Sequence, residues 1–429
     1  MKLRFIDRNC LKTTSSLMLS MVACMSFMAH LFFYSLSPTI YMVLLLVLTL
    51  CFILCKPIVV PNLKIVILLM TTALYMIFSF WNSKRLTGSL IDVLVLLLGM
   101  LFVFFYTKKI GDYDGVLKVI SFFAMFFSIG TIMNSLMPQM YRFIISKFPS
   151  TYAAVVKQQI DRVPGFSTNP GFSAGYISAG IIVLVSLCHK KKSISKKEMI
   201  RLVILFGALL FTGKRGPTIF LVITLLLCYL IPINGMKKIN RYWKMFFLCV
   251  TVIVIYFVLK DFLVVIPAIS EISKTISGLL EGDDISSGRN SLYAWAFRLF
   301  LLHPLFGIGW GNYKTTVVGN ATLVKELDVH NIYLQLLCET GITGFIIIVG
   351  MFFWFWNKTK RLYIQCFKRQ DSKSRELLPY IFFSFAYQTC FLIFGLTGNT
   401  LYDQHYQILY MISCAIMMTY NNNNSLYYN

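Results

Sequence analysis

Charged side chains are scarce in this sequence. Only 13% of its 429 residues are Asp, Glu, Lys or Arg, whereas a soluble domain carries about 25%. Apolar and aromatic residues of the set AVILMFWYC supply 57% of the chain. This composition excludes a water-soluble globular protein and predicts a chain that lies largely in lipid.

Acidic residues are scarcer still, since 17 Asp and Glu stand against 40 Lys and Arg, for a net charge of +23. In a soluble protein that excess would suggest nucleic acid as a partner. In a membrane protein it does not, because Lys and Arg accumulate in cytoplasmic loops, where they fix the orientation of the spans. No nucleic-acid partner is therefore predicted.

Residue patterns that bind metals are lacking. None of the 11 cysteines belongs to a CxxC pair, and most of them lie inside apolar runs. Asp283 and Asp284 are adjacent, but no other acid or histidine nearby completes a metal site. Neither a disulfide framework, a metal site nor a cofactor is predicted.

Long apolar runs are abundant by contrast. A helix needs about 20 mostly apolar residues to span a membrane, and the sequence offers twelve such segments: 15–34, 38–55, 63–81, 89–106, 116–136, 171–188, 198–212, 217–232, 244–266, 331–356, 377–397 and 401–420. Lys and Arg concentrate in the segments that are inside if the N-terminus is cytoplasmic, so both termini are predicted to be cytoplasmic. The fold class is an all-α integral membrane protein, one polytopic domain over 1–429 with about 12 transmembrane helices.

Two long extracytoplasmic loops follow from this topology, one at 137–170 and a larger one at 267–330. Most of the remaining connections are short, and the larger loop carries a concentration of acidic residues. Functional groups are expected in these two loops.

The larger loop contains Ser287 and Arg289, then a helical pattern from Leu292 to His303 that ends before Pro304. Ser287 suits a helix cap, which places Arg289 in the first turn. The pattern is typical of an amphipathic helix that lies along the membrane surface. Arg289 is then either a site residue or an arginine that meets only lipid phosphates.

A short turn between the seventh and eighth spans holds Lys214, Arg215 and Pro217, on the predicted outer side and against the charge bias. Pro217 suits a first helical position, so Arg215 would lie beside free N–H groups at the positive end of a helix. Arginine and a helix N-terminus together form an anion site, with phosphate as the obvious anion. The alternative is a pair of cations that anchors the chain at the membrane surface.

His330 lies at the predicted mouth of the tenth span. On a continuous helix Gly341 and Gly344 fall within about 40° of it, so this face would allow close approach of another helix or a lipid chain. The histidine is a candidate base, although a histidine at a helix mouth is more often a satisfied interface residue.

Asn331, Tyr333 and Glu339 follow in the same span and are candidates for substrate binding. Glu339 would lie about 13 Å along the helix from His330, and an acid at that depth is functional or paired. In the other long loop, Arg162 is either a second anion contact or the partner of Asp161.

These segments together resemble the O-antigen polymerase (Wzy) and O-antigen ligase superfamily of multi-pass glycosyltransferases. Gly288-Arg289, followed by the Pro-Leu-Phe-Gly-Ile-Gly stretch at 304–309, is similar to the family's Gly-Arg and Pro-Leu-x-Gly-x-Gly pattern. His330-Asn331, nine residues, then Gly341 and Gly344 is similar to its His-Asn-x9-Gly-x-x-Gly signature.

Two further segments extend the resemblance. Arg215 stands where the family usually has the arginine of Ser-Arg or Thr-Arg, whereas Lys214 departs from that pattern. Arg162 with the Pro, Gly and Asn residues after it resembles a looser family segment. The resemblance covers about residues 160–350, and the first 130 residues match only as generic spans.

The resemblance implies a substrate and a reaction. The substrate would be a glycan repeat unit on undecaprenyl pyrophosphate, and the glycan would pass to a sugar hydroxyl with release of the lipid pyrophosphate. Arg215 and Arg289 would stabilise the charge on the leaving pyrophosphate without a metal, and a neutral His330 would accept the hydroxyl proton. The further candidates for substrate contact are Arg162, Lys214, Asn331, Tyr333 and Glu339.

Three functions remain open. A polymerase is favoured by the stretch at 304–313 and by the two developed outer loops. A ligase would move the finished glycan onto lipid A core. A flippase for lipid-linked oligosaccharides would predict internal symmetry between the halves of the chain, which the loop positions do not show. A polymerase or ligase would lie in the bacterial inner membrane, in contact with membrane lipids, and its active site would face the periplasm. A protein that regulates glycan chain length is a possible further partner.

Overall fold

The computed structural model describes residues 8–28, 38–54, 61–84, 86–148, 150–158, 163–189, 195–232, 267–281, 289–318, 328–369 and 371–425. Within these ranges the regular elements are helices, numbered here in chain order: α1 Arg8–Met28, α2 Pro38–Leu54, α3 Leu63–Trp81, α4 Leu86–Phe104, α5 Asp114–Leu136, α6 Pro138–Ile145, α7 Ser150–Gln158, α8 Pro170–Cys188, α9 Lys196–Phe211, α10 Arg215–Leu230, α11 Pro267–Glu281, α12 Arg289–Leu302, α13 Tyr313–Val318, α14 Ile332–Arg369, α15 Ser372–Phe394 and α16 Gln404–Ser425. A 3-10 turn, Ile110–Tyr113, precedes α5.

Five of the described helices are long and apolar enough to cross a membrane: α3, α5 with its 3-10 turn, α8, α14 and α15. Shorter apolar stretches occur in α1, α2, α4 and α10. For the described part of the chain, an all-helical fold with several candidate membrane spans is thereby confirmed. The count of twelve stays a prediction, and the ninth predicted span, 244–266, lies outside the described residues.

Several helix starts follow from local capping chemistry. The Asn169 side chain accepts a hydrogen bond from the Gly171 N–H at 2.8 Å, and Pro170 occupies the first position of α8. Ser195 and Glu198 form a reciprocal capping box at the start of α9. These side chains satisfy N–H groups that a helix leaves without partners, so they fix where each helix begins.

Two expectations about helix geometry are wrong. α10 begins at Arg215, with Lys214 as its N-cap, so Pro217 is the third helical residue and not the first. The tenth predicted span is not one continuous helix, because Gly341 has φ +64° and ψ −174° and breaks α14. His330 precedes α14 and itself has φ +57°. The predicted alignment of His330 with both downstream glycines on one helical face therefore does not exist.

The break in α14 has a packing cause. The 304–309 turn runs against the helix at this point, where the N–H of Gly309 donates to the Glu339 carbonyl at 2.9 Å and the N–H of Ile342 donates to the Pro304 carbonyl at 2.8 Å. A Cβ at Gly341 would lie 2.4 Å from the backbone of Leu305. Only glycine permits both the positive φ and this approach.

The predicted outer loops contain helices of their own among the described residues. Segment 137–170 includes α6 and α7, and segment 267–330 includes α11, α12 and α13. α12 buries Leu292, Ala296 and Leu299 and exposes Phe297 and Leu301. Its observed end at Leu302 agrees within one residue with the end predicted from Pro304.

Helix direction distinguishes the two ends of the bundle. α8, α10, α14 and α16 all begin at one end, where α15 terminates. At the opposite end, α14 finishes with Lys368 and Arg369, and α15 starts beside Lys373.

α8 is buried against α5, α9 and α15 in the middle of the bundle, and a Cβ at Gly180 would meet the Ala124 side chain of α5 at 2.1 Å. Gly180 thus permits the close contact between α8 and α5 in the middle of the bundle.

Candidate active site

A cavity of about 1160 Å³ lies at the end of the bundle where these helices begin. Lys214, Arg215, Arg289 and His330 all line it. They come from three separate stretches of sequence and reach one space because α10, α12 and the segment before α14 start beside each other. Three residues predicted to be catalytic and one predicted to bind substrate therefore share this cavity.

Arg215 is the first residue of α10 and is held from the loop side of the cavity. Its Nη1 donates a hydrogen bond to the Thr275 hydroxyl of α11. Thr275 Oγ1 in turn donates to the Glu271 carbonyl at 2.6 Å. This contact limits the freedom of the guanidinium group at the cavity wall.

Arg289 is the first residue of α12. The buried stripe of α12, Leu292, Ala296 and Leu299, fixes the helix on the bundle. Arg289 Nη1 donates to the Thr397 carbonyl at 2.8 Å, just beyond the end of α15. One of its five N–H donors is thus used for positioning, and a fork of donors of this kind suits a phosphate oxygen pair.

His330 lies in the cavity wall with a positive φ of +57°, a backbone conformation that is uncommon for residues other than glycine. Burial lowers the pKa of its imidazole, and the positive charges of Arg289, Lys214 and Lys314 lower it further, while Asp328 acts in the opposite direction. The imidazole is therefore held neutral near pH 7, the protonation state that a proton acceptor requires.

The cavity is electropositive. Its cations are Lys214, Arg215 and Arg289, and its acids are Glu271, Asp328 and Asp403. Asp328 pairs with Lys314 at 3.0 Å and Glu271 with Lys274 at 3.1 Å, and neither lysine lines the cavity. Two of the three carboxylates are thus neutralised by charges outside the cavity lining. Several helices also direct their N-termini toward this space, which adds partial positive charge.

Three other predicted contacts do not line the cavity. The Asn331 side chain caps α14 by accepting from the N–H groups of Tyr333 and Leu334 at 3.0 and 3.1 Å. The Tyr333 hydroxyl donates to the Leu392 carbonyl at 2.7 Å. The Glu339 side chain is fully buried and accepts from the Tyr402 hydroxyl at 2.7 Å. Arg162 lies outside the described residues, as do Ser287, Gly288 and the Asp283–Asp284 pair.

The cavity also contains residues that the sequence reasoning did not select. Asn399, Asp403 and Tyr406 line it from the segment between α15 and α16 and the first turn of α16. The predicted spans 377–397 and 401–420 left almost no loop here, and Asp403 was counted as part of a span. An acid inside an apolar segment was the signal that could have identified this wall.

Among the described ranges, no group of three His, Cys, Asp or Glu side chains could hold a metal ion. The cationic side chains of the cavity, Lys214, Arg215 and Arg289, are groups that bind anions.

Comparison with known proteins identifies one related family. Residues 200–349 match the family model described as O-antigen ligase. This matched segment contains Arg215, Arg289 and His330. No curated protein matches the chain.

Proposed function

Because residues 200–349 place this chain in the O-antigen polymerase and ligase superfamily, we propose that it is a glycosyltransferase that polymerises a surface polysaccharide. The donor would be a glycan on undecaprenyl pyrophosphate and the acceptor a lipid-linked repeat unit. The observation that carries the proposal is the meeting of Arg215, Arg289 and His330 in one cavity at the bundle end where the helices begin.

The two arginines would bind the pyrophosphate. As the bond between the anomeric carbon and the pyrophosphate oxygen breaks, its electron pair passes to that oxygen, and guanidinium donors already in place stabilise the charge. Lys214 adds a third positive charge. Apolar residues of the lining continue along α10 from Pro217 to Ile219 and Phe220, in the direction that a prenyl chain would take into the membrane.

His330 would receive the proton. The acceptor hydroxyl oxygen forms the new bond to the anomeric carbon, and its proton passes to the neutral imidazole. Holding that hydroxyl in line with the breaking bond supplies much of the remaining acceleration. A single displacement of this kind inverts the anomeric centre, and it requires no metal.

Charge supports a periplasmic site. The cavity lies at the end of the bundle opposite the Lys- and Arg-rich ends of α14 and α15, and such clusters mark the cytoplasmic side. The remaining topology belongs to the same proposal: about twelve spans in one polytopic domain, long outer loops at 137–170 and 267–330, both termini cytoplasmic, and the bacterial inner membrane as location. Membrane lipids surround the protein, and a chain-length regulator remains a candidate partner.

The family match itself favours a second candidate, because the matching model is described as O-antigen ligase. A ligase would use the same cavity and donor but transfer the glycan to lipid A core. The match gives no support to the flippase alternative.

One experiment separates the two reactions. Purified protein in lipid nanodiscs is incubated with lipid-linked repeat units alone and then with lipid A core added. A ladder of products without lipid A core indicates the polymerase, and product only after its addition indicates the ligase. The absence of any transfer under both conditions, with folded protein and intact donor, would reject both candidates.

A further inference from the structure

The segment 395–403, which joins α15 to α16, forms a part of the cavity wall that is polar but carries no positive charge. Asn399, Asp403 and, in the first turn of α16, Tyr406 line the cavity here. None of the three carries a positive charge, whereas Lys214, Arg215 and Arg289 supply the cationic part of the same cavity. We call these three residues the 399–406 wall.

Hydrogen bonding in this wall is incomplete. The Asn399 Oδ1 atom and the Tyr406 hydroxyl are buried, and neither has a hydrogen-bond partner within the part of the chain that the structure describes. Tyr406 as a whole is only 7% exposed. A buried polar atom left without a partner is unfavourable, so two of them beside one cavity indicate a ligand that supplies the missing bonds.

The backbone of the wall is nevertheless well fixed. The Asn399 carbonyl accepts from the N–H groups of Tyr402 and Asp403 at 2.8 and 3.1 Å, and the Asp403 carbonyl accepts from the Tyr406 N–H at 3.0 Å. Gly175 of α8 leaves room for the Tyr406 ring, since a Cβ there would lie 2.0 Å from the hydroxyl. Backbone hydrogen bonds and packing against Gly175 therefore position this wall, and the Asn399 Oδ1 atom and the Tyr406 hydroxyl take no part in these contacts.

The chemistry of the wall selects the ligand class. An amide oxygen and a carboxyl group offer lone pairs, which repel a phosphate and accept from hydroxyl groups, and a tyrosine hydroxyl can donate or accept. Aromatic side chains also line the cavity, among them Phe172 and Tyr293, and these can pack on the apolar face of a sugar ring. A neutral molecule with several hydroxyl groups fits this combination, and an anion does not.

We propose that Asn399, Asp403 and Tyr406 form the acceptor-sugar subsite of the cavity, where they bind hydroxyl groups of the incoming glycan. This inference rests on the proposed glycosyl transfer, and it further divides the cavity into a donor region and an acceptor region. The cationic residues hold the donor pyrophosphate, and the 399–406 wall holds the acceptor.

Three variants remove side-chain function while the backbone contacts remain: Asn399→Ala, Asp403→Asn and Tyr406→Phe. In nanodiscs with labelled donor, each variant is expected to raise the KM for acceptor about tenfold, the loss of about one hydrogen bond, with the KM for donor unchanged. Arg215→Ala is the matched contrast and is expected to affect the donor. Thermal unfolding of each variant shows whether it is folded.

A binding measurement keeps this inference separate from the proposed function. The probe is the free oligosaccharide that mild acid releases from the cells' own lipid-linked glycan, detected by saturation-transfer NMR on protein in nanodiscs. Binding to wild type and to Arg215→Ala, with loss in Tyr406→Phe and Asn399→Ala, supports the subsite even if no transfer is ever observed. Transfer by wild type with unchanged acceptor KM in all three variants overturns the subsite and leaves the proposed function intact. No binding of the oligosaccharide by folded wild type also overturns it.

Discussion

Two groups of polar side chains lie close together at the same end of the molecule, and they differ in how their hydrogen bonds are used. The first, which we call the Glu339 cluster, consists of Glu339, Tyr313, Gln335 and Tyr402. The Glu339 carboxylate accepts from the Tyr402 hydroxyl at 2.7 Å, the Tyr313 N–H at 3.2 Å and Gln335 Nε2 at 3.4 Å. The second is the cavity, where Arg289 has N–H donors beyond the one that contacts the Thr397 carbonyl, and where the buried Asn399 Oδ1 and Tyr406 hydroxyl have no hydrogen-bond partner among the described residues.

The difference shows what each group can do. In the Glu339 cluster the partners are internal, so the carboxylate fixes structure: Tyr313, whose N–H it binds, also donates its hydroxyl to the Leu292 carbonyl of α12 at 2.9 Å. α12 begins with Arg289. The cluster therefore positions the cavity arginine, while the cavity has the unused hydrogen-bonding capacity that a ligand needs.

The largest expected effect is a loss of glycan transfer when Arg289, a residue of the cavity, is replaced. Arg289→Ala removes a preorganised donor for the developing pyrophosphate charge, so transfer is expected to fall by about 10² to 10³-fold. The melting temperature should change little, because the lost protein contact is one hydrogen bond to a backbone carbonyl. Product ladders quantified at equal amounts of folded protein measure the effect.

Arg298→Ala is the matched control, because Arg298 lies on the same helix, is exposed and does not line the cavity. It should transfer at close to the wild-type rate. Arg289→Lys should recover little, since a lysine cannot make paired contacts to a phosphate. Equal activity of Arg289→Ala and Arg298→Ala would remove Arg289 from the site.

Gly341→Ala tests the Glu339 cluster, because it disturbs the 304–309 turn that packs beside Glu339. The new Cβ would lie 2.4 Å from the Leu305 backbone, in a residue with φ +64°. We expect a loss of stability of about 2 kcal/mol or more, with a lower melting temperature and yield. Gly350→Ala is its partner on the same helix, since a Cβ there meets nothing within 4 Å, and it should be neutral or slightly stabilising. Similar melting of the two variants would contradict the packing account of the break.

The sequence predicted some parts of this arrangement and not others, for physical reasons. Apolar run length and Pro304 predicted α3, α8 and the end of α12 to within a residue or two, because both signals are local. The break at Gly341 could not be predicted from its own neighbourhood, since the 304–309 turn that imposes it comes from more than thirty residues away in sequence.

The same limit explains the candidate site residues. Arg215, Arg289 and His330 stood out because a cation or imidazole beside an apolar run has few structural uses. Glu339 stood out for the same reason, but its three partners come from distant or internal positions, and only packing reveals them. Asp403 was missed because the apolar run on both sides extended the predicted span across it.

Glu339→Gln is expected to have a moderate effect that separates the two groups. An amide keeps the shape but replaces one acceptor oxygen by a donor, which leaves an N–H or hydroxyl of the cluster poorly paired, at about 1 kcal/mol. The melting temperature should fall, while transfer per folded molecule stays within about threefold. Glu376→Gln, at an exposed position, is the control for the chemical change. A large loss of transfer in stable Glu339→Gln protein would move Glu339 into the reaction.

The smallest expected effect is on the pH dependence of transfer, and it tests the electrostatics of the cavity. Burial and the nearby cations lower the pKa of His330 below its ordinary value of 6.5. A base must be neutral, so the acid limb that His330 causes should appear only as the pH drops through this lowered pKa. Asp328 opposes the lowering, so Asp328→Asn, which also releases Lys314 from its ion pair, should move the acid limb to still lower pH. Rates of transfer at saturating donor, measured from about pH 5 to 8, check both statements. If the acid limb of the pH profile is centred above pH 6.5, or if it persists in His330→Gln protein, another group of the cavity accepts the proton. His330 would then have a structural role, like the residues of the Glu339 cluster.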